Sequence, residues 1–141
     1  MKVAAFERIA DVARRNGRER PDKILFHFEG RATSYADFDA SSNRAANALI
    51  ASGLKPDDRV AYLGKNSDLY FELVMAVAKA GGVMTPVNCR LAVPEIAWII
   101  DNCGARILFV GPEFTELVAA NRDAFPGVEH VVAVEGAAGS F

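Results

Sequence analysis

The stretch Gly81 to Val110, GGVMTPVNCRLAVPEIAWIIDNCGARILFV, limits the fold more than any other part of the chain, because it spells a complete strand, loop, helix and strand. Val83 to Val87 is short and apolar and closes on a proline and an asparagine, the pattern of a buried strand entering a loop. Pro94 is preorganised for a first helical turn, and Glu95 suits the positive end of the helix dipole. Ile96, Ile99, Ile100 and Cys103 recur at the spacing of one helical face. Gly104 is placed to end that helix in a left-handed conformation. Ile107-Leu108-Phe109-Val110 then follows as an unbroken apolar run, as a parallel strand covered on both faces requires.

The same alternation extends to either side of this unit. Val60 to Leu63 reads as a strand, and Asn66 or Ser67 caps a helix running to Ala80. Leu69, Phe71, Leu73, Val74, Met75 and Val77 make that helix apolar almost all round, with only a thin polar stripe of Asp68, Glu72 and Lys79. Pro112 opens another helix with Phe114, Leu117 and Val118 inward, and Pro126-Gly127 turns into a strand over Val128 to Val134. Nearer the start, Val3, Phe6, Ile9, Ala10 and Ala13 define an amphipathic helix expected to end at Asn16-Gly17. Lys23 to Glu29 and Arg31 to Ser34 form a hairpin about Glu29-Gly30, with Ile24, Phe26 and Phe28 on one face and Leu25 and His27 on the other. Ser34 caps the next helix with Asp37 three residues on, and Tyr35, Phe38, Ala45, Leu49 and Ile50 form its buried stripe up to Gly53. Asn43, Arg44 and Asn47 mark its polar face. The expected fold class is α/β: a mainly parallel sheet with right-handed crossover helices, preceded by an N-terminal helix and a β-hairpin.

Composition excludes several functions. A formal net charge of −2 over 141 residues gives no basic footprint for nucleic acid, so no nucleic-acid partner is expected. Cys89 and Cys103 make neither a disulfide framework nor a metal motif, and both are expected to be reduced and structural. His27 and His130 are solitary and read as surface residues. No apolar run approaches the length of a membrane span, and no signal pattern follows Met1, so a cytoplasmic location is expected. Arg14, Arg15, Arg18 and Arg20 form a basic cluster. It would suit anionic lipid or phosphate, but helix-end compensation explains it without any partner, and Glu19 dilutes it.

Read in order, Thr33-Ser34-Tyr35-Ala36-Asp37-Phe38 with Asn43, Gly53-Leu54-Lys55-Pro56-Asp57-Asp58-Arg59-Val60-Ala61, Asn66-Ser67, Ala78-Lys79-Ala80-Gly81-Gly82 and Pro86-Val87-Asn88-Cys89-Arg90-Leu91 carry a resemblance. Over nearly its whole length the chain resembles the N-terminal region of the AMP-forming acyl-CoA synthetases, the adenylate-forming enzymes. The resemblance implies a parent enzyme that activates a carboxylic acid, with fatty acids favoured, as an acyl-adenylate and passes it to coenzyme A, using ATP and Mg2+. In that family the phosphate work falls to a Ser/Thr/Gly-rich loop ending in Pro-Lys-Gly, to adenine- and ribose-binding motifs, and to a lysine on a mobile C-terminal domain. None of these motifs occurs in this sequence. Residues 1–134 are therefore expected to be the N-terminal segment of the enzyme domain, and 135–141, glycine-rich and without lysine, a flexible tail or truncated linker.

Ligands of such sheets lie at the carboxyl ends of the strands, which here carry Gly64-Lys65-Asn66-Ser67 and Asn88-Cys89-Arg90. Asn66 and Ser67 could receive an anion at a helix N-terminus with Lys65 adding charge, yet capping alone accounts for both. Arg90 could pair with phosphate or carboxylate, yet fixing its own loop is the plainer role. No catalytic, cofactor-binding or metal-binding residue is assigned. The segment alone is expected to be inactive and structural, binding neither ATP, Mg2+ nor CoA tightly. Two alternatives stand beside this one: a self-sufficient nucleotide-binding module, which lacks a Gly-x-Gly-x-x-Gly turn, and a non-catalytic dimerisation module, so a homodimer stays open.

Overall fold

The computed structural model describes residues 8–134. Val3 and Phe6 of the expected first helix, and the expected tail at 135–141, lie outside these residues. The described chain forms two compact units, one taking the residues through Leu54 together with Ser67–Ala80, the other Lys55–Asn66 and the residues from Gly81 onward.

The first unit holds α1 (Ile9–Glu19), β1 (Ile24–Phe28), β2 (Arg31–Ser34), α2 (Tyr35–Ala51) and α3 (Asp68–Lys79). Helix α1 does not stop at Asn16-Gly17. It continues to Glu19, and the Arg20 N–H closes it by donating to Asn16 O at 2.8 Å. Gly17 serves packing: a Cβ there would lie 3.0 Å from Asp39 Cβ and 3.3 Å from Tyr35 O, so the bare backbone lets α1 approach α2. Ala10 and Ala13 are buried as expected, but Ile9, placed in the core by its periodicity, is 59% exposed.

In the hairpin, Glu29 (φ 44°) and Gly30 (φ 79°) both take the left-handed conformation of a tight two-residue turn. The expected alternation in β1 fails because the pairing register slips between Ile24 and Phe26. A bulge of this kind turns consecutive side chains the same way. Leu25 and Phe26 therefore both pack on the cluster of Ala10, Ala13, Phe38 and Met75, while Ile24 is exposed. Phe26 meets Phe38 edge-on at 5.8 Å between ring centroids. Ser34 caps α2, accepting the Asp37 N–H at 3.1 Å and donating to the Asp37 carboxylate at 2.6 Å. The buried stripe of α2 is Phe38, Ser42, Ala46 and Leu49, and Ile50, one residue round the helix, is exposed. Asn43, Arg44 and Asn47 are exposed as expected.

The second unit is a four-stranded parallel sheet of β3 (Arg59–Leu63), β4 (Val83–Val87), β5 (Ile107–Val110) and β6 (His130–Ala133) in the order β4-β3-β5-β6, with helices α4 (Val93–Cys103) and α5 (Thr115–Ala120). Every residue of β5 is buried, as its unbroken apolar run requires. Strand β4 departs from expectation: it lies at the sheet edge, with Val83 and Pro86 exposed and only Val87 buried. Pro86 is compatible with that place because an edge strand leaves donors on one side unpaired, so a missing N–H costs no ladder bond.

Helix α4 starts as expected. Pro94 lies in its first turn, and the Glu95 carboxylate accepts the Ala92 N–H at 2.9 Å, satisfying one donor just before the helix. Gly104 ends it at φ 66°, the left-handed cap read from sequence. Ile96 and Ile100 are buried with Leu63, Val87, Leu108, Val110, Val118 and Phe125, and Ile99 and Cys103 pack at the margin. Pro112 opens a single 3-10 turn before α5, on which Val118 is buried and Leu117 half-buried. Val128 is buried but precedes β6, which begins only at His130. His27 and His130 are both exposed on strands.

Candidate functional site

In the second unit the carboxyl ends of β3, β4 and β5 lead into Gly64–Asn66, Asn88–Arg90 and Gly111–Glu113, the place where a parallel sheet presents polar groups to a ligand. The first and third of these segments are clasped together. The Gly111 N–H donates to Leu63 O at 2.8 Å, continuing the β3–β5 pairing past the strand ends. A Cβ on Gly111 would come within 3.0 Å of Gly64 Cα, and one on Gly64 within 2.6 Å of Tyr62 Oη. A side chain at Gly111 would therefore crowd the neighbouring segment, and one at Gly64 would crowd the Tyr62 hydroxyl. Tyr62 Oη then donates to Lys65 O at 2.7 Å, and the Lys65 N–H donates to Glu113 Oε1 at 3.2 Å.

The chain's own carboxylate thus takes the Lys65 amide at the segment read as an anion-receiving loop. Glu113 and Tyr62 were not legible as members of this site, since Glu113 is 48 residues from its partner in sequence. A faint signal existed: a glycine follows directly on two buried apolar strands, at Leu63-Gly64 and at Val110-Gly111.

The loop after β4 is fixed by a different residue from the one expected. Asn88 Oδ1 accepts the Arg90 N–H at 3.1 Å and Asn88 O accepts the Leu91 N–H at 3.3 Å, a side-chain-mimicked turn. Arg90 is exposed, and among the described residues its guanidinium holds no hydrogen bond, so it does not fix its own loop. Cys89 and Cys103 are free thiols, both packed at the margin of the apolar cluster. Beside this loop, Leu91, Pro94, Glu95, Trp98 and Ile99 line a shallow hollow, with Trp98 67% exposed.

In the first unit the start of α3 is likewise occupied from within. Ser67 Oγ accepts the Tyr70 N–H at 3.1 Å, the capping role expected of it. Asp68, read as part of a surface stripe, is instead buried, 8% exposed. Arg31 grips it in a bidentate pair, Nε to Oδ2 and Nη2 to Oδ1 both at 2.9 Å, and the Leu69 N–H donates to Oδ1 at 3.0 Å. The hydrogen bond from Arg31 holds the Asp68 carboxyl below its ordinary pKa, helped by the Leu69 N–H and the guanidinium charge and opposed by burial. A negative charge, paired with Arg31, is therefore already seated at the positive end of α3.

Lys79 also belongs to the interior. Its side chain is 4% exposed, and its ammonium donates to Asp39 Oδ1 at 2.6 Å, Asp39 O at 3.0 Å and Ser42 Oγ at 2.8 Å. All three N–H donors are used, and the Ser42 hydroxyl donates in turn to Phe38 O at 2.5 Å. This explains why a serine lies in the buried stripe of α2. Among the described residues no group of three or more His, Cys, Asp or Glu is arranged to hold a metal ion, and no helix is long and apolar enough to cross a membrane.

Comparison with known proteins extends this picture. The family described as AMP-binding enzyme matches residues 13–139. The chain is 49% identical over 90 residues to the fatty acid–[acyl-carrier-protein] ligase ScoC of Streptomyces coeruleorubidus, covering 64% of this chain and 17% of that protein. It is 42% identical over 106 residues to feruloyl-CoA synthase of an Amycolatopsis species, covering 75% of this chain and 22% of that protein. It superposes on the N-terminal domain of FACL13 from Mycobacterium tuberculosis with a TM-score of 0.83 at 28% identity, covering 91% of this chain and 33% of that one. The chain spans about a fifth of the length of these curated relatives.

Proposed function

This chain belongs to the AMP-binding enzyme family, and we propose that it is the N-terminal segment of an ATP-dependent, AMP-forming acyl-CoA ligase, in which it serves as scaffold and not as catalyst. In the reaction of such a ligase, a carboxylate oxygen attacks the α-phosphorus of ATP, giving an acyl-adenylate and releasing pyrophosphate. The thiol of coenzyme A then attacks the acyl carbon, and AMP leaves. ATP, Mg2+ and CoA belong to the whole enzyme. Three polar groups of this segment are already engaged within the chain: the Lys65 amide donates to Glu113, Asp68 occupies the start of α3, and Lys79 spends its donors on Asp39 and Ser42. No step of the chemistry is assigned to any of them.

The observation that carries this reading is the combination of a ligase-like sheet with the Lys65 amide, Asp68 and Lys79 partnered within the chain. The sheet's role is that of one layer laid against the ATP-binding core, walling part of the acyl pocket. The substrate class is a carboxylic acid, with a fatty acid favoured by the relatives that act on fatty acids. The location is cytoplasmic, a reading supported by two free thiols and by the lack of a membrane-crossing helix among the described residues. The source gene, read beyond the codon for Phe141, tests the proposal. A frame continuing into a Ser/Thr/Gly-rich loop ending in Pro-Lys-Gly, with carboxylate-dependent ATP–pyrophosphate exchange by the product, is the expected result. A stop codon at that point would overturn it.

A further inference from the structure

Helix α4 presents an outward surface that its own core does not use. Ile96 and Ile100 are buried with the strands, whereas Trp98, between them in sequence, turns outward and is 67% exposed. Among the described residues no other large apolar side chain is as exposed. A single exposed ring is ordinary on a protein surface. This one, however, borders a hollow of about 380 Å³ whose other walls are Leu91, Pro94, Glu95 and Ile99, so knob and hollow form one continuous, mainly apolar face.

The two halves of that face lie one turn apart on the same helix, because Pro94 precedes Trp98 by four residues and Leu91 precedes it by seven. Such a surface is complementary to itself. About a twofold axis passing between Pro94 and Trp98, two copies of α4 run antiparallel, and each Trp98 enters the hollow of the other copy. The positive end of each helix dipole then meets the negative end of its partner. Side-chain charge agrees with this direction. Arg90 lies three residues before the start of α4 and Asp101 lies in its last turn. Both are exposed, and neither side chain has a partner among the described residues. Antiparallel pairing brings Arg90 of each copy toward Asp101 of the other. Glu95, on the same side, is drawn back onto the Ala92 N–H at 2.9 Å.

We propose that the outer face of α4 pairs with the same face of a second copy of this chain, making a homodimer by reciprocal insertion of Trp98. Charge complementarity favours a second copy over an anionic surface, which Glu95 and Asp101 would repel. One eleven-residue helix from each copy makes a contact at the small end of specific interfaces, so the dimer is expected to be weak, with a Kd on the order of 10 μM. No ligase activity enters its test.

Trp98 is the single tryptophan of the chain, so its fluorescence reports this face alone. Sedimentation velocity from about 1 to about 200 μM is expected to pass from monomer to dimer, with the emission maximum moving to shorter wavelength over the same range. Trp98→Ala is expected to weaken association about tenfold or more. Arg90→Asp and Asp101→Arg are each expected to weaken it about fivefold, and the two together to return within about twofold of the parent, because the pair is then restored with its charges exchanged. Ile50→Ser removes an equally exposed apolar side chain in the first unit and is expected to leave association unchanged. Far-UV circular dichroism verifies that each variant is folded. A monomer at every concentration, a dimer that persists in Trp98→Ala, or a double charge exchange that restores nothing would overturn the proposal.

Discussion

The Nζ of Lys79 lies 2.6 Å from Asp39 Oδ1, with 4% of the lysine side chain exposed, and this pair joins α3 to α2 inside the first unit. Burying two charges costs solvation that only close geometry and full hydrogen bonding can offset, and here every ammonium proton is used. Replacing Lys79 by Met strands the Asp39 carboxylate and is predicted to cost about 3 kcal/mol in urea unfolding. Adding Asp39→Leu is predicted to restore more than half of that loss. Costs that simply add would show that the two residues are not coupled.

Arg31 and Asp68 make a different prediction, because their pairing shifts a carboxyl group. The folded Asp68 pKa lies below its unfolded value, so in the acid range the unfolded chain binds the extra proton. The stabilisation is therefore present above the unfolded value, near pH 4, and is lost as pH falls through the folded one. Asp68→Asn is predicted to flatten the fall in urea midpoint between about pH 5 and pH 2 relative to the parent. The change is modest, since Arg31 is half exposed and solvent screens it. Parallel pH curves for the two proteins would refute the assignment.

Gly17 reverses a general rule. In an exposed helix, glycine to alanine stabilises by about 0.5–1 kcal/mol. Here the added methyl group would lie 3.0 Å from Asp39 Cβ and 3.3 Å from Tyr35 O, atoms fixed in α2. Gly17→Ala is predicted to destabilise by about 1 kcal/mol, measured as a lower Tm. A gain in Tm would show that α1 can shift away without cost.

What could be read from sequence was whatever depends on near neighbours along the chain. Ser34 and Ser67 as caps, Pro94 with Glu95 at a helix start, Gly104 as a left-handed stop and β5 as a doubly covered strand each follow from a few adjacent residues. What could not be read was set across the fold. Asp68 and Lys79 looked like a wet stripe because Arg31, Asp39 and Ser42 are far away in sequence. Gly17 looked like a terminator because the partner helix is invisible to periodicity. Val83 to Val87 looked buried because an apolar run does not say whether another strand lies beyond it, and Pro86 was a hint that, among the described residues, it lies at the edge. At the candidate site, Ser67 was visible as a cap and Asn88 as the start of a loop, but the loop-fixing role was expected of Arg90, and the Glu113 contact depends on two strand ends being brought side by side.

The clasp at those strand ends gives a local prediction. Glu113→Ala removes the acceptor of the Lys65 N–H while leaving the buried strands intact. Hydrogen exchange at the Lys65 amide is predicted to accelerate at least about tenfold, corresponding to loss of roughly one protecting hydrogen bond. Exchange at Leu108, in the middle of β5, is predicted to stay unchanged. Unchanged exchange at Lys65 would mean that Glu113 does not hold the segment.

Carboxylate-dependent ATP–pyrophosphate exchange, run side by side on the 141-residue chain and on the product of a source frame extended past Phe141, tests the scaffold assignment most directly. The account predicts exchange by the extended product in the presence of a suitable carboxylic acid and none by the chain alone. Exchange catalysed by the chain alone would contradict it, because this segment would then be a catalyst and not a scaffold.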